Sequence, residues 1–280
     1  MDAIVNLAPT GMIPTKAMTP HVPLTPEEIA ADVLACADLG ITTAHLHARD
    51  ESGDPTYRKG VYARIIGLIR DRRDDLVLCV SCSGRNWSEL EKRAEVLELD
   101  GDLKPDMASL TLSSLNFANS SSVNAPETVQ GLAERMRDRG IKPELEIFDL
   151  GMANYAKYLL RKEIIEGRLY ANLFFGNIAS AQPTLLELGI LIEALPPDTV
   201  WAAAGLGEAQ LPMNAVAIAY GGGVRVGLED NIWFDRTRSR LATNVELVGR
   251  IHEIGRLHAR EVMAPAAFRE LMMLGRVAGG

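Results

Sequence analysis

The chain has 280 residues, 47% hydrophobic and 24% charged, the make-up of a globular protein with a large buried core. A formal net charge of −8 leaves no general basic surface, which argues against nucleic acid as a partner. The amino terminus, Met1-Asp2-Ala3-Ile4-Val5-Asn6, lacks a basic stretch ahead of a long apolar run, and no run nears the roughly 20 apolar residues of a membrane helix. The expectation is a cytoplasmic protein with no membrane partner.

Short apolar runs alternate with amphipathic helical patterns along the chain. The first run covers residues 3–8. After a loop, Thr25 suits a helix N-cap, Pro26 the first helical position and Glu28 the return bond of a capping box, and Gly40 suits the C-cap. A second strand is predicted over 42–48 with a helix near 61–72, a third over 76–83 with a helix near 88–99, and a fourth over 107–112 with a helix near 126–139. The fifth covers 144–149 with a helix near 155–166, and the sixth 170–175 with a helix near 183–195. The seventh covers 200–206 with a helix near 212–220, and the eighth 224–228 with a closing helix near 244–257. Cys79 and Cys82 form a Cys-x-x-Cys, but inside the third apolar run rather than at a helix start. They read as two half-buried strand thiols, not a redox pair.

About eight strand–helix units without a long linker fit one α/β domain over residues 1–280, a closed (β/α)8 TIM barrel. A doubly wound sheet would more often carry Gly-x-Gly-x-x-Gly after its first strand. Here that loop is Pro9-Thr10-Gly11-Met12-Ile13-Pro14, and Gly221-Gly222-Gly223 precedes a strand rather than a helix.

Barrel enzymes place their chemistry where strands end. The second strand ends His45-Leu46-His47, and an i, i+2 spacing sends both imidazoles off one face, where they can ligate one metal. Two packed histidines are the bland alternative. On the eighth strand Arg225, Gly227 and Glu229 share a face, with Asp230 next. Two acids closing a buried strand call for a cation or an arginine. Strands two and eight are both even-numbered, so Glu229 can meet the histidines, and two His plus one carboxylate suits zinc. Further strand ends offer Ser81, Ser83, Arg85, Ser109 and Thr111, whose hydroxyls could equally serve nearby backbone. Glu144 and Glu146 share a face, Glu144 standing as a substrate contact unless both simply pair with Arg225.

Several motifs in order resemble the β-keto acid cleavage enzyme family. They are Val22-Pro23-Leu24-Thr25-Pro26-Glu27-Glu28-Ile29, His45-Leu46-His47-Ala48-Arg49-Asp50 and Lys104-Pro105-Asp106-Met107-Ala108-Ser109-Leu110, then Leu115-Asn116-Phe117, Pro143-Glu144-Leu145-Glu146-Ile147-Phe148-Asp149 and Gly151-Met152. The most specific is Arg225-Val226-Gly227-Leu228-Glu229-Asp230-Asn231, followed by Thr243-Asn244-Val245-Glu246-Leu247-Val248. The resemblance implies a zinc-dependent (β/α)8 barrel, usually a homotetramer, that converts a β-keto acid and acetyl-CoA into acetoacetate and a new acyl-CoA. It puts metal ligands on His45, His47 and Glu229, a catalytic Arg–Asp pair on Arg225 and Asp230, a substrate-holding serine on Ser81, and Ser109 in place of a threonine near the site. Where members acting on an amino-keto acid carry an amine-binding glutamate, this chain has Ile13, which points away from a cationic substrate. The loop Ser81-Cys82-Ser83-Gly84-Arg85 replaces the more usual Ser-Thr-Gly-Gly, and Arg85 is a candidate for a substrate carboxylate, for CoA phosphate, or for the surface. Two other functions stay open at this point: a CoA-independent metal-dependent aldolase or lyase, and a catalytically silent ligand-binding barrel.

Overall fold

Eight short, almost wholly buried segments form the sheet, as expected for parallel strands covered on both faces. The computed structural model describes residues 2–275; Met1 and residues 276–280, the ends of the expected 1–280 domain, lie outside the described residues. The strands are β1 (Val5–Leu7), β2 (Thr43–Leu46), β3 (Val77–Val80), β4 (Met107–Thr111), β5 (Lys142–Ile147), β6 (Tyr170–Phe175), β7 (Val200–Gly205) and β8 (Gly223–Val226). Each pairs in parallel with its neighbours, and β1 closes the ring against both β8 and β2, with Asn6 opposite Arg225 on one side and Thr43 on the other. The expected (β/α)8 barrel is what the chain forms.

The outer layer holds α1 (Pro26–Leu39), α2 (Lys59–Arg70), the short α3 (Leu90–Ala94), α4 (Pro126–Asp138), α5 (Leu150–Arg161), α6 (Leu185–Ala194), α7 (Gln210–Ala219) and α8 (Asn244–Leu257). Thr25 and Thr243 each start a helix through a complete capping box, with Glu28 and Glu246 returning the bond. Between helices and strands lies the main apolar layer, in which Ile65 and Ile66 of α2 pack with Leu46 and Val80. Two helices depart from expectation. The one expected near 88–99 is a single helical turn and a half followed by the tighter 3-10 turn Glu95–Glu98. α5 begins at Leu150, five residues early, because the Asp149 side chain accepts from the Met152 N–H and so caps it.

A further helix, α9 (Pro265–Met272), has no counterpart in the expected elements. It closes the barrel floor. Phe268 is fully buried there against Ile4, Val77, Met107 and Tyr170, with the Tyr170 and Phe268 rings edge to face at 5.3 Å. The strand C-termini are left open at the other end. Cys79 and Cys82 are not half-buried: both are shut inside, and burial raises both thiols, Cys82 to about 12, so neither is a ready nucleophile. Among the described residues no helix is long and apolar enough to cross a membrane.

Candidate active site

The open end of the barrel surrounds a cavity of about 520 Å³. Its walls include Ile13 from the loop after β1, His47, Ser81, Arg85, Arg225, Glu229 and Asp230, so the separated strand ends do meet in one place. His45 lies directly behind, fully buried.

The two imidazoles leave β2 on one face, as period-two geometry requires, and their Nε2 atoms face each other at 3.2 Å. Glu229 Oε1 stands 3.2 Å from His47 Nε2. The possible ligand atoms of His45, His47 and Glu229 all lie within 4.8 Å of one another. The donor chemistry fits a divalent cation. Glu229 Oε2 is buried without a hydrogen-bond partner, an arrangement that costs free energy unless something positive meets it. Behind His45, its Nδ1 lies 2.6 Å from Glu144 Oε1, so the ring gives that proton inward and, when neutral, directs its Nε2 lone pair at the cluster. Burial lowers the His47 pKa, which favours the neutral, ligating imidazole. A second grouping, His45, Cys79 and Glu144, is sealed inside the barrel and shares the same histidine.

Arg225 is the hub of the charges. Its Nη2 is 2.6 Å from Glu229 Oε1, its Nε donates to Asp230 Oδ2 at 3.0 Å, and its guanidinium carbon lies 5.0 Å from the centre of the Phe174 ring. Burial works against its charge, but Asp230, Glu229 and Glu144 around it prevail and hold its pKa well above the ordinary value. Burial also opposes the charge on Glu229, where Arg225, His47 and His45 together win and keep the carboxylate ionised. At Asp230 burial wins over Arg225, with Glu229 repelling from beside it, and the carboxyl rises to about 6.

Two expected contacts sit one layer too deep. Ser109 is buried below the cavity wall, where its Oγ accepts from the Cys82 N–H at 3.1 Å and anchors the loop after β3; it does not face the cavity. Glu144 is likewise fully buried, held by His45 and by Asn6 Nδ2 at 2.8 Å, and it stands behind His45 rather than on the cavity wall. The pair next up those two strands, Thr111 and Glu146, faces the cavity, the threonine hydroxyl donating to the carboxylate. Ser81 sits on the wall, its Oγ accepting from the Ser83 N–H at 3.3 Å. Arg85 is not on the outer surface: its guanidinium lies on the Phe117 ring, 3.7 Å from the centroid, and faces the cavity with no carboxylate paired to it among the described residues.

Two positioning residues carried no assigned role in the sequence reading. Arg49 is buried and donates to three carbonyls, Gly11 and Pro14 in the loop after β1 and Gly53 beyond, at 3.0–3.1 Å. Gly11 is needed under that loop: its φ is +65°, and a Cβ would stand 2.4 Å from Glu229 Cγ. Asn244 accepts from the Leu228 N–H at 2.8 Å and donates to the Pro9 carbonyl at 3.1 Å, tying the end of β8 to the same loop. The signal for both was a polar residue inside a family-like motif, residues 45–50 and 243–248, without any local partner to explain it.

Known proteins resemble the chain along nearly its whole length. The chain is 33% identical over 274 residues to a 3-keto-5-aminohexanoate cleavage enzyme of Fusobacterium nucleatum subsp. nucleatum, covering 97% of each. It is 33% identical over 275 residues to a 3-oxoadipate:acetyl-CoA acetyltransferase of Cupriavidus necator, covering 97% of this chain and 94% of that one. In three dimensions it superposes on the apo structure of ObcA with a TM-score of 0.80 at 21% identity, over 93% of this chain and 67% of that one, a likeness of fold. The model of the beta-keto acid cleavage enzyme family matches residues 2–274, and the chain belongs to that family.

Proposed function

We propose that this protein condenses a β-keto acid with acetyl-CoA and releases acetoacetate and a new acyl-CoA, using zinc held by His45, His47 and Glu229. The observation that carries the reading is one buried corner of the cavity. There a two-histidine, one-carboxylate cluster with an unsatisfied oxygen adjoins a carboxylate held by arginine. Three protein ligands beside an open cavity suit a catalytic rather than a structural zinc. A cation there supplies Lewis-acid polarisation of the keto acid oxygens. The names of the relatives, a β-keto acid cleavage enzyme and an acetyl-CoA acetyltransferase, support the substrates.

In this reading Asp230 removes a proton from the carbon between ketone and carboxylate, while Arg225 fixes which oxygen faces the substrate. The carbanion attacks the acetyl carbonyl and expels the CoA thiolate. The thiolate then adds to the ketone of the original acid, and the bond between its second and third carbons breaks. Acyl-CoA leaves, and the acetoacetate enolate takes back the proton from Asp230. Ser81 on the wall orients the substrate. The reading includes a single catalytic domain, a cytoplasmic location and a homotetramer, the last supported by the exposed apolar side chains Leu185, Leu186 and Ile190 on α6. Acetoacetate is expected only when keto acid and acetyl-CoA are both supplied. Cleavage of the keto acid without acetyl-CoA would make the protein an aldolase or lyase instead, and bound metal with no turnover of any keto acid would favour a silent barrel.

The side chain of the substrate is read by Ile13 and Arg85. Ile13 is 51% exposed on the cavity wall and offers no charge to an amine. Arg85 is desolvated, which lowers its pKa, and presents an unpaired fork suited to a distal carboxylate. A dicarboxylic β-keto acid follows, and 3-oxoadipate, named for the Cupriavidus necator relative, is such a compound. Arg85→Ala is expected to cut the preference for a dicarboxylic over an uncharged keto acid of equal length by about 10–100-fold, the worth of a charged hydrogen bond. Equal loss on both substrates would assign Arg85 to CoA or the fold. An amino-keto acid proving the best wild-type substrate would overturn the argument from Ile13.

A further inference from the structure

The segment between β8 and α8 places Arg236, Arg238 and Arg240 within five residues, in a chain whose net charge is −8. Arg240 is accounted for, paired with Glu246 and lying 3.8 Å from the centre of the Phe234 ring. Arg236 and Arg238 are exposed and, among the described residues, have neither a carboxylate nor a hydrogen-bond partner for their guanidinium groups. Arg250 reaches in from α8. It donates Nη1 to the Phe234 carbonyl at 2.6 Å, but its Nε and Nη2 are buried with no partner.

The loop is a built structure rather than a loose strand of chain. The Asp235 carboxylate accepts from the Ser239 N–H at 3.2 Å, the Ser239 hydroxyl at 3.1 Å, the Arg240 N–H at 2.8 Å and the Thr237 hydroxyl. These bonds occupy the acid within its own loop and hold Arg238 at a φ of +57°, a left-handed conformation that is costly for a residue with a Cβ. Arg236, Arg238 and Arg250 all face one shallow cleft, which Glu208 and the loop-bound Asp235 also line. Arg238 and Glu208 also belong to the wall of the active-site cavity, so the cleft adjoins its rim.

We propose that Arg236, Arg238 and Arg250 form an anion site at the cavity rim that receives the phosphates of the CoA nucleotide. This rests on the reading of acetyl-CoA as co-substrate. A thioester reacting at Asp230 has its pantetheine arm leading out of the cavity and its polyanionic end beyond the rim. An acidic protein repels such a ligand unless a local positive patch draws it in. Guanidinium forks match phosphate oxygens two at a time, and loops after strands seven and eight are where (β/α)8 barrels frequently bind phosphate.

The test combines Arg236→Gln with Arg238→Asn, the asparagine chosen because it tolerates the left-handed backbone. Two readouts are taken on wild type and variant: the ratio of kcat/KM for acetyl-CoA to that for acetyl-pantetheine, which has no nucleotide, and the calorimetric Kd of CoA and of adenosine 3′,5′-bisphosphate. The expected result is a loss of at least about 10-fold in the ratio and in both affinities, with a shallower salt dependence of CoA binding. An unchanged ratio and unchanged affinities overturn the site, as does a wild type that binds neither CoA nor the bisphosphate. If no thioester supports turnover of any keto acid, the reading of the reaction fails, and the titrations alone decide the site.

Discussion

Asp230→Asn is expected to lower turnover by about 10²–10⁴-fold, the usual worth of a positioned general base. The substitution keeps the shape of the side chain and an oxygen for Arg225 Nε, now 3.0 Å from Asp230 Oδ2, so the arginine is not released into the cavity. What disappears is the negative charge, and with it the ability to accept a proton from carbon. The loss therefore falls on kcat, with KM for the keto acid little altered, because the interaction is made on the way to the transition state. Metal content should match wild type. Turnover within a few fold of wild type would leave Asp230 as a structural partner of Arg225 and move the base elsewhere on the cavity wall, with Glu146 and Glu208 the acids there.

Removing a ligand should have an equally large effect on the metal. Purified wild type is expected to hold about one zinc per chain, and His45→Ala or Glu229→Ala to hold almost none, since a catalytic site has three protein ligands to begin with. The two variants differ in what else they disturb. His45→Ala also strands the buried Glu144, whose carboxylate lies 2.6 Å from His45 Nδ1, and breaking a buried pair costs about 3–5 kcal/mol. Glu229→Ala leaves Arg225 with Asp230. A chelator should lower the melting temperature of wild type but not of Glu229→Ala, since only a protein that binds the ion gains stability from it. Full zinc occupancy of both variants by elemental analysis would sink this ligand set.

Much of this was legible in the chain itself. Side-chain alternation put His45 and His47 on one face, and two acids closing an apolar strand beside Arg225 called for a charged centre. Alternation gives a face but not a height. Ser109 and Thr111 share a face, as do Glu144 and Glu146, yet Ser109 pairs opposite Glu144 in a lower layer and Thr111 opposite Glu146 at the mouth. Which layer opens to the cavity depends on the tilt and stagger of all the strands together, a property no single strand carries. α9 escaped notice for a related reason. Its apolar face, around Phe268, has a partner only once the ring of strands has closed and made a floor. Arg49 and Asn244 were hidden because their carbonyl partners at Gly11, Pro14 and Pro9 lie far away in sequence.

The way Arg49 grips the loop after β1 has a consequence for how such an enzyme can change its trade. The grip is entirely on main-chain oxygens, at Gly11 and Pro14, on either side of Met12 and Ile13. Arg49 does not hold the side chain at position 13, and half of that residue's surface is free. A new residue there would alter the face shown to an incoming molecule while the backbone stayed put. The scaffold thus separates the jaw from the tooth: a descendant could acquire a different diet by a single exchange at Ile13, without first having to rebuild the loop that presents it.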